Sequence, residues 1–79
     1  MLVRFYAVGR EISGLDEWRS DAASVAALTE ELGAHFGDRM RRLVDSSTLL
    51  IDGRRHRSTD DLALATTDVV DLLPPFAGG

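Results

Sequence analysis

The chain closes on Pro74-Pro75-Phe76-Ala77-Gly78-Gly79, and the group there with chemistry to offer is the carboxylate of Gly79. Side-chain bulk falls from an aromatic ring to none on the way to it. Glycine lacks Cβ, so such a backbone can enter a channel too narrow for a substituted residue. A carboxylate is a poor electrophile. Useful chemistry requires a partner to convert it to an acyl-adenylate with ATP, after which a sulfur donor or an amine can displace AMP. The chain itself would bring only position and shape. The two prolines lack a backbone N–H and have a fixed φ, so they end a β-ladder and send the chain into an extended, polyproline-like segment. Residues 74–79 can reach at most about 20 Å at roughly 3.3–3.6 Å per residue. The expectation is that Gly79 is the reactive centre and that Pro74, Pro75, Phe76, Ala77 and Gly78 bind a partner.

The remaining chemistry-bearing residues form no rival constellation. His35 and His56 have no ligand-like spacing with each other or with carboxylates, which argues against a metal. Asp60, Asp61 and Asp68 lie in polar turn segments, where turn formation and capping are the expected roles. Arg54, Arg55 and Arg57 read as a solvated edge strand, with a partner patch as the alternative, and Arg39, Arg41 and Arg42 read as solvent-facing. Neither a phosphate-binding glycine loop nor a serine or cysteine nucleophile motif is present. The chain has no cysteine, which excludes disulfides, thiolate zinc sites and a side-chain persulfide. All nine of its basic residues are arginine. Without lysine, an isopeptide bond would need an amine from a partner or from the N-terminus. The net charge of −4 argues against a nucleic-acid footprint.

A tail of this kind needs a rigid root, and the upstream pattern supplies candidates. Leu2 to Val8 alternates, with Val3, Phe5 and Ala7 on one face, and reads as a strand. Gly9 and Gly14 mark the next stretch as a loop or turn, followed by a short strand around Trp18. Val25, Leu28, Leu32 and Phe36 then fall on one helical face, with Ser24 as N-cap and Gly37 as the stop. A short helical turn burying Met40, Leu43 and Val44 follows. The apolar run Thr48-Leu49-Leu50-Ile51, then Asp52-Gly53, then Arg54-Arg55-His56 reads as a tight hairpin. Leu62 and Leu64 can tuck inward from a polar connection, and Val69-Val70-Asp71-Leu72-Leu73 is the final strand. The first and last strands are the most apolar on both faces and should pair in parallel at the centre of the sheet. The fold class is α+β: a β-grasp, ubiquitin-like mixed sheet of four to five strands covered by one main helix. Expected core residues are Val3, Phe5, Leu28, Leu32, Val70 and Leu72.

With 79 residues the chain is a single domain, residues 1–79, of which 74–79 form the extended tail. At 44% hydrophobic and 28% charged it has the composition of an ordinary globular protein. No apolar run reaches membrane-spanning length, and Arg4 and Arg10 interrupt any signal-peptide pattern, so a cytoplasmic location without membrane contact is expected.

At three places the sequence resembles the MoaD family of ubiquitin-like sulfur carriers, the small subunits of molybdopterin synthase. "RFYAVGREISG" is similar to that family's opening strand and loop, "LLIDGR" to its middle hairpin, and "DVVDLLPPFAGG" to its closing strand and tail. The sharpest feature is the Pro-Pro-aromatic-Ala-Gly-Gly ending. Thiazole-forming carriers usually lack the double proline, and cysteine-forming carriers tend to have one proline and no aromatic. One departure is Thr67, where the family often has glycine before Asp68. The resemblance implies a MoeB-type adenylating enzyme that uses ATP on Gly79, a sulfur donor enzyme that makes the thiocarboxylate, and a MoaE-like large subunit that receives the tail. That large subunit would supply the catalytic and substrate-binding residues, with this chain as a non-catalytic sulfur donor that binds no cofactor of its own. Two other readings share these residues: a sulfur carrier for thiazole, cysteine or a secondary metabolite, and a ubiquitin-like modifier or interaction module.

Overall fold

A computed structural model describes residues 1–75. Its elements run β1 (Leu2–Phe5), α1 (Val8–Ser13), β2 (Glu17–Arg19), α2 (Val25–Phe36), α3 (Asp38–Ser46), β3 (Thr48–Ile51), β4 (Arg54–His56) and β5 (Val69–Leu73). The five strands make one sheet in the order β2-β1-β5-β3-β4. β1 and β5 are parallel at its centre, with Leu2 opposite Val69 and Phe5 opposite Leu72, while every other pairing is antiparallel. This is the mixed β-grasp sheet, with the arginine-bearing β4 at one edge.

Alternation along the strands divides the sheet into two faces. Val3, Phe5, Leu49, Ile51, Val70 and Leu72 are buried, and join Val25, Leu28 and Leu32 of α2 and Met40, Leu43 and Val44 of α3 in one core. Leu64 is buried in the same core, and Leu62 packs against it from the polar connection. The Ser24 hydroxyl caps α2 by accepting from the Ala27 N–H at 3.1 Å, satisfying a donor that the first turn would otherwise leave orphaned. Asp52 (φ 51°) and Gly53 (φ 75°) both occupy the left-handed region in the turn between β3 and β4, as a two-residue hairpin loop demands.

Three features differ from the sequence expectation. The stretch read as a loop between β1 and β2 contains α1, because Val8 and Ile12, four residues apart, both pack on the core. Gly14, which reads as a chain breaker, is its left-handed C-cap and donates its N–H to the Arg10 carbonyl at 2.7 Å. The single turn expected after Gly37 is the full helix α3, whose Met40, Leu43 and Val44 are buried as expected. Ala7 does not continue the core face of β1. It is exposed, at φ 51° and ψ −122°, in a turn closed by the Gly9 N–H to the Tyr6 carbonyl at 2.9 Å.

Candidate functional site

The site begins where β5 ends. This strand is paired with β1 on one side and β3 on the other, and its last residue, Leu73, still faces Thr48 of β3. Two ladders therefore fix the root of the C-terminal segment. The ladder stops at Leu73, directly before the first residue that has no N–H to give it. The two prolines then behave differently. Pro74 is under 2% exposed, its ring packed into the body of the domain, whereas Pro75 is exposed. Of the residues expected to bind a partner, Pro74 is an anchor and Pro75 is the first to offer its ring to solvent. Phe76, Ala77, Gly78 and Gly79 lie outside the described residues.

The sheet face turned away from the helices leads directly to this root. Its residues follow from the register: Leu2 and Arg4 on β1, Glu17 and Arg19 on β2, Thr48 and Leu50 on β3, Arg55 on β4, and Val69, Asp71 and Leu73 on β5. At its middle, Arg4 Nε donates to Asp71 Oδ1 at 2.5 Å and Arg4 Nη2 to Asp71 Oδ2 at 3.0 Å, a two-point clasp between adjacent strands. The Tyr6 hydroxyl donates to Asp71 Oδ1 at 3.3 Å. The Asp71 side chain is only 13% exposed and that of Arg4 is 44% exposed. The hydrogen bond to Asp71, and then the aspartate's charge, raise the Arg4 pKa above the ordinary arginine value. Leu2, Leu50 and Leu73 surround this pair half-buried, and Val69 is exposed.

Sequence reasoning passed over this pair. The signal was an aspartate in the middle of Val69-Val70-Asp71-Leu72-Leu73, because an in-register parallel pairing of β1 and β5 places Asp71 beside Arg4.

The other candidates take structural roles. His35 stacks on Trp18 with ring centroids 5.2 Å apart, and Phe36 packs edge-on against both Trp18 and Phe5. The Asp60 carboxylate accepts the Arg57 N–H at 2.9 Å, with His56 Nδ1 3.7 Å away from it, and the Asp68 carboxylate accepts the Ala65 N–H at 2.7 Å. Both aspartates close turns, as their positions suggested. The turn at Thr67 forms without glycine because no residue in it has positive φ. Arg41 pairs with Glu30 across α2 and α3, and Arg57 Nη2 donates to the Asp45 carbonyl at 3.2 Å. Among the described residues no group of three or more histidine and carboxylate side chains could hold a metal, and no helix is long and apolar enough to cross a membrane.

A central strand that delivers the chain terminus from a β-grasp sheet also fits the outcome of comparison with known proteins. The ThiS family profile matches residues 3–79. The solution structure of the Haloferax volcanii HVO 2177 protein superposes with a TM-score of 0.70 at 28% sequence identity, covering 99% of this chain and 84% of that one. No curated protein matches the chain significantly. With residues 3–79 inside that family match, the chain belongs to the ThiS family of ubiquitin-like small sulfur carriers, a membership that implies an adenylating partner.

Proposed function

We propose that this chain is the sulfur-donating small subunit of a molybdopterin synthase. The observation that carries the reading is the ending Pro-Pro-Phe-Ala-Gly-Gly on a strand held by ladders on both sides. A MoeB-type enzyme adenylates the Gly79 carboxylate, whose oxygen attacks the α-phosphorus of ATP and releases pyrophosphate. Sulfide delivered by a donor enzyme then attacks the acyl carbon, displaces AMP and leaves a C-terminal thiocarboxylate. The tail of the charged carrier enters a MoaE-like large subunit, where its sulfur attacks a pterin precursor and hydrolysis returns Gly79 to the carboxylate. General acid and base groups come from the large subunit, so the carrier is a reactant that must be recharged after each transfer.

What supports a pterin acceptor over a thiazole or cysteine one is the double proline followed by Phe76. The ring gives an apolar anchor ahead of the bulk-free end, and Pro74 and Pro75 limit the directions the segment can take, lowering the ordering cost on binding. The test is to offer the thiocarboxylated carrier to a molybdopterin synthase large subunit with its pterin precursor, and separately to a thiazole-forming acceptor. The expected result is formation of the dithiolene with return of the carrier to its uncharged mass. Sulfur transfer to the thiazole acceptor alone would reject the pterin assignment while leaving the sulfur carrier in place.

A further inference from the structure

The activated form of Gly79 is an electrophile, and the amine that an electrophile meets on an ordinary protein surface is that of lysine. This chain has no lysine. Its nine basic side chains are all guanidiniums, which stay protonated and do not attack acyl groups. It also has no thiol, and hydroxyls are weak nucleophiles without an adjacent base. One amine remains in residues 1–79, the α-amine of Met1, and the fold places it inside the domain. Met1 is 6% exposed, with its side chain in the hydrophobic core. Its amine donates to the Ser20 carbonyl at 2.6 Å and the Ser20 N–H donates to the Met1 carbonyl at 3.0 Å, so the two residues extend the antiparallel β1-β2 ladder by one pair. Ser20 is itself buried and is tied to α2. Its hydroxyl donates to Glu31 Oε2 at 2.9 Å and accepts the Ala22 N–H at 3.0 Å.

Distance does not protect this amine. The parallel register sets Met1 level with Asp68, so the amine lies about 17 Å from the end of β5 at roughly 3.3 Å per residue. Residues 74–79 can span about 20 Å, which is enough to reach back. Burial is what forbids the contact, because the amine has to leave the ladder and draw its side chain out of the core before it can take an acyl group.

We infer that the domain is sealed against acylation by its own activated end, so that the nucleophile for Gly79 comes from another molecule. In an aminolysis the amine nitrogen bonds to the acyl carbon, the bond to AMP breaks with its electron pair leaving on the phosphate oxygen, and the nitrogen gives a proton to water. No amine among the described residues is free to begin that step. The activated carrier therefore neither cyclises nor links to copies of itself, and it stays available to sulfide. The acyl-adenylate rests on the sulfur-carrier reading, whereas the sealed amine does not.

The experiment acetylates the full chain with an N-hydroxysuccinimide ester at about pH 8, where roughly half of an exposed α-amine is neutral, and follows intact mass. The comparison is a chain with two glycines ahead of Met1, in which the Met1 N–H can still donate to Ser20 while the amine lies outside the sheet. When both are folded the extended chain should react at least about tenfold faster, and in urea the two should react at similar rates. The rate of the wild type in urea supplies the same comparison if the extension disturbs folding. A smaller ratio would overturn the inference. The wild type is then incubated with ATP and the adenylating enzyme of the same organism, without sulfide, and should give no chain lighter by one water and no pair of chains joined with loss of one water. Either product, located at Met1 by fragmentation, would also overturn it. A protected amine on a chain that draws no pyrophosphate from the enzyme would instead overturn the carrier reading and leave the sealed amine standing.

Discussion

Replacing the two adjacent prolines one at a time separates the anchor of the tail from its first free residue. Pro74→Ala removes two ring methylenes from a side chain under 2% exposed, worth about 1.6 kcal/mol at roughly 0.8 kcal/mol per buried methylene. Losing the proline's restriction of the unfolded chain adds about 0.4–1 kcal/mol, for a total near 2–2.5 kcal/mol. Pro75 is exposed and loses only the second contribution. At about 2.1 cal/mol/K per residue, a chain of 79 residues has an unfolding entropy near 170 cal/mol/K, so each kcal/mol moves Tm by about 6 °C. Pro74→Ala should therefore melt about 12–15 °C below wild type and Pro75→Ala about 3–6 °C below it, both read by calorimetry under the same conditions. A Pro74→Ala melt within about 3 °C of wild type, or a larger loss at Pro75, would refute the assignment of Pro74 to the body of the domain.

Leu28 is 1% exposed on the core side of α2, and Leu28→Ala should cost about 2–5 kcal/mol in urea unfolding, a large share of a small domain's stability. Ala7 holds φ 51° and ψ −122°, where a Cβ is strained and glycine is not, so Ala7→Gly should raise stability by about 1 kcal/mol in the same assay. The hydrogen bond from Arg41, and then its charge, hold the Glu30 pKa below the ordinary glutamate value. A depressed carboxylate contributes stability above the unfolded-state pKa and loses it as pH falls through the lower folded value. The gap in melting temperature between wild type and Glu30→Gln should therefore be small at neutral pH, close as the solution is acidified below the glutamate range, and vanish in high salt because both side chains are exposed.

The elements that were legible in the sequence are those whose signal is local. Val3 and Phe5 alternate with Leu2 and Arg4, Ser24 precedes a helical stripe, and Asp52-Gly53 allows one kind of turn. The centrality of β1 and β5 could be read from their apolar content, and the parallel pairing followed from topology. α1 was hidden because it has only six residues, with one glycine inside it and another directly after it, and it is held by tertiary packing, with Gly9 buried beside Phe5 and Leu43. Local propensity carries no record of that contact. Pro74 and Pro75 are identical as letters, and only the fold distinguishes the one that packs from the one that is exposed. Arg4 and Asp71 are 67 residues apart and become a pair once the register of the two central strands is known. The chemistry assigned to Gly79, by contrast, was read entirely from residue types near it, ahead of any geometry.

The central claim is that the Gly79 carboxylate carries the sulfur, and intact mass spectrometry tests it most directly. The chain is incubated with ATP, its adenylating partner and sulfide, beside a variant lacking Gly79 that should fold equally well, since β5 ends at Leu73 and glycine has no side chain to bury. The account predicts that the wild type gains the mass of one oxygen replaced by sulfur, located by fragmentation at the C-terminal residue, and that the folded deletion variant gains nothing. Sulfur on the deletion variant, or a wild type that stays unmodified while its partner turns over ATP, would contradict it.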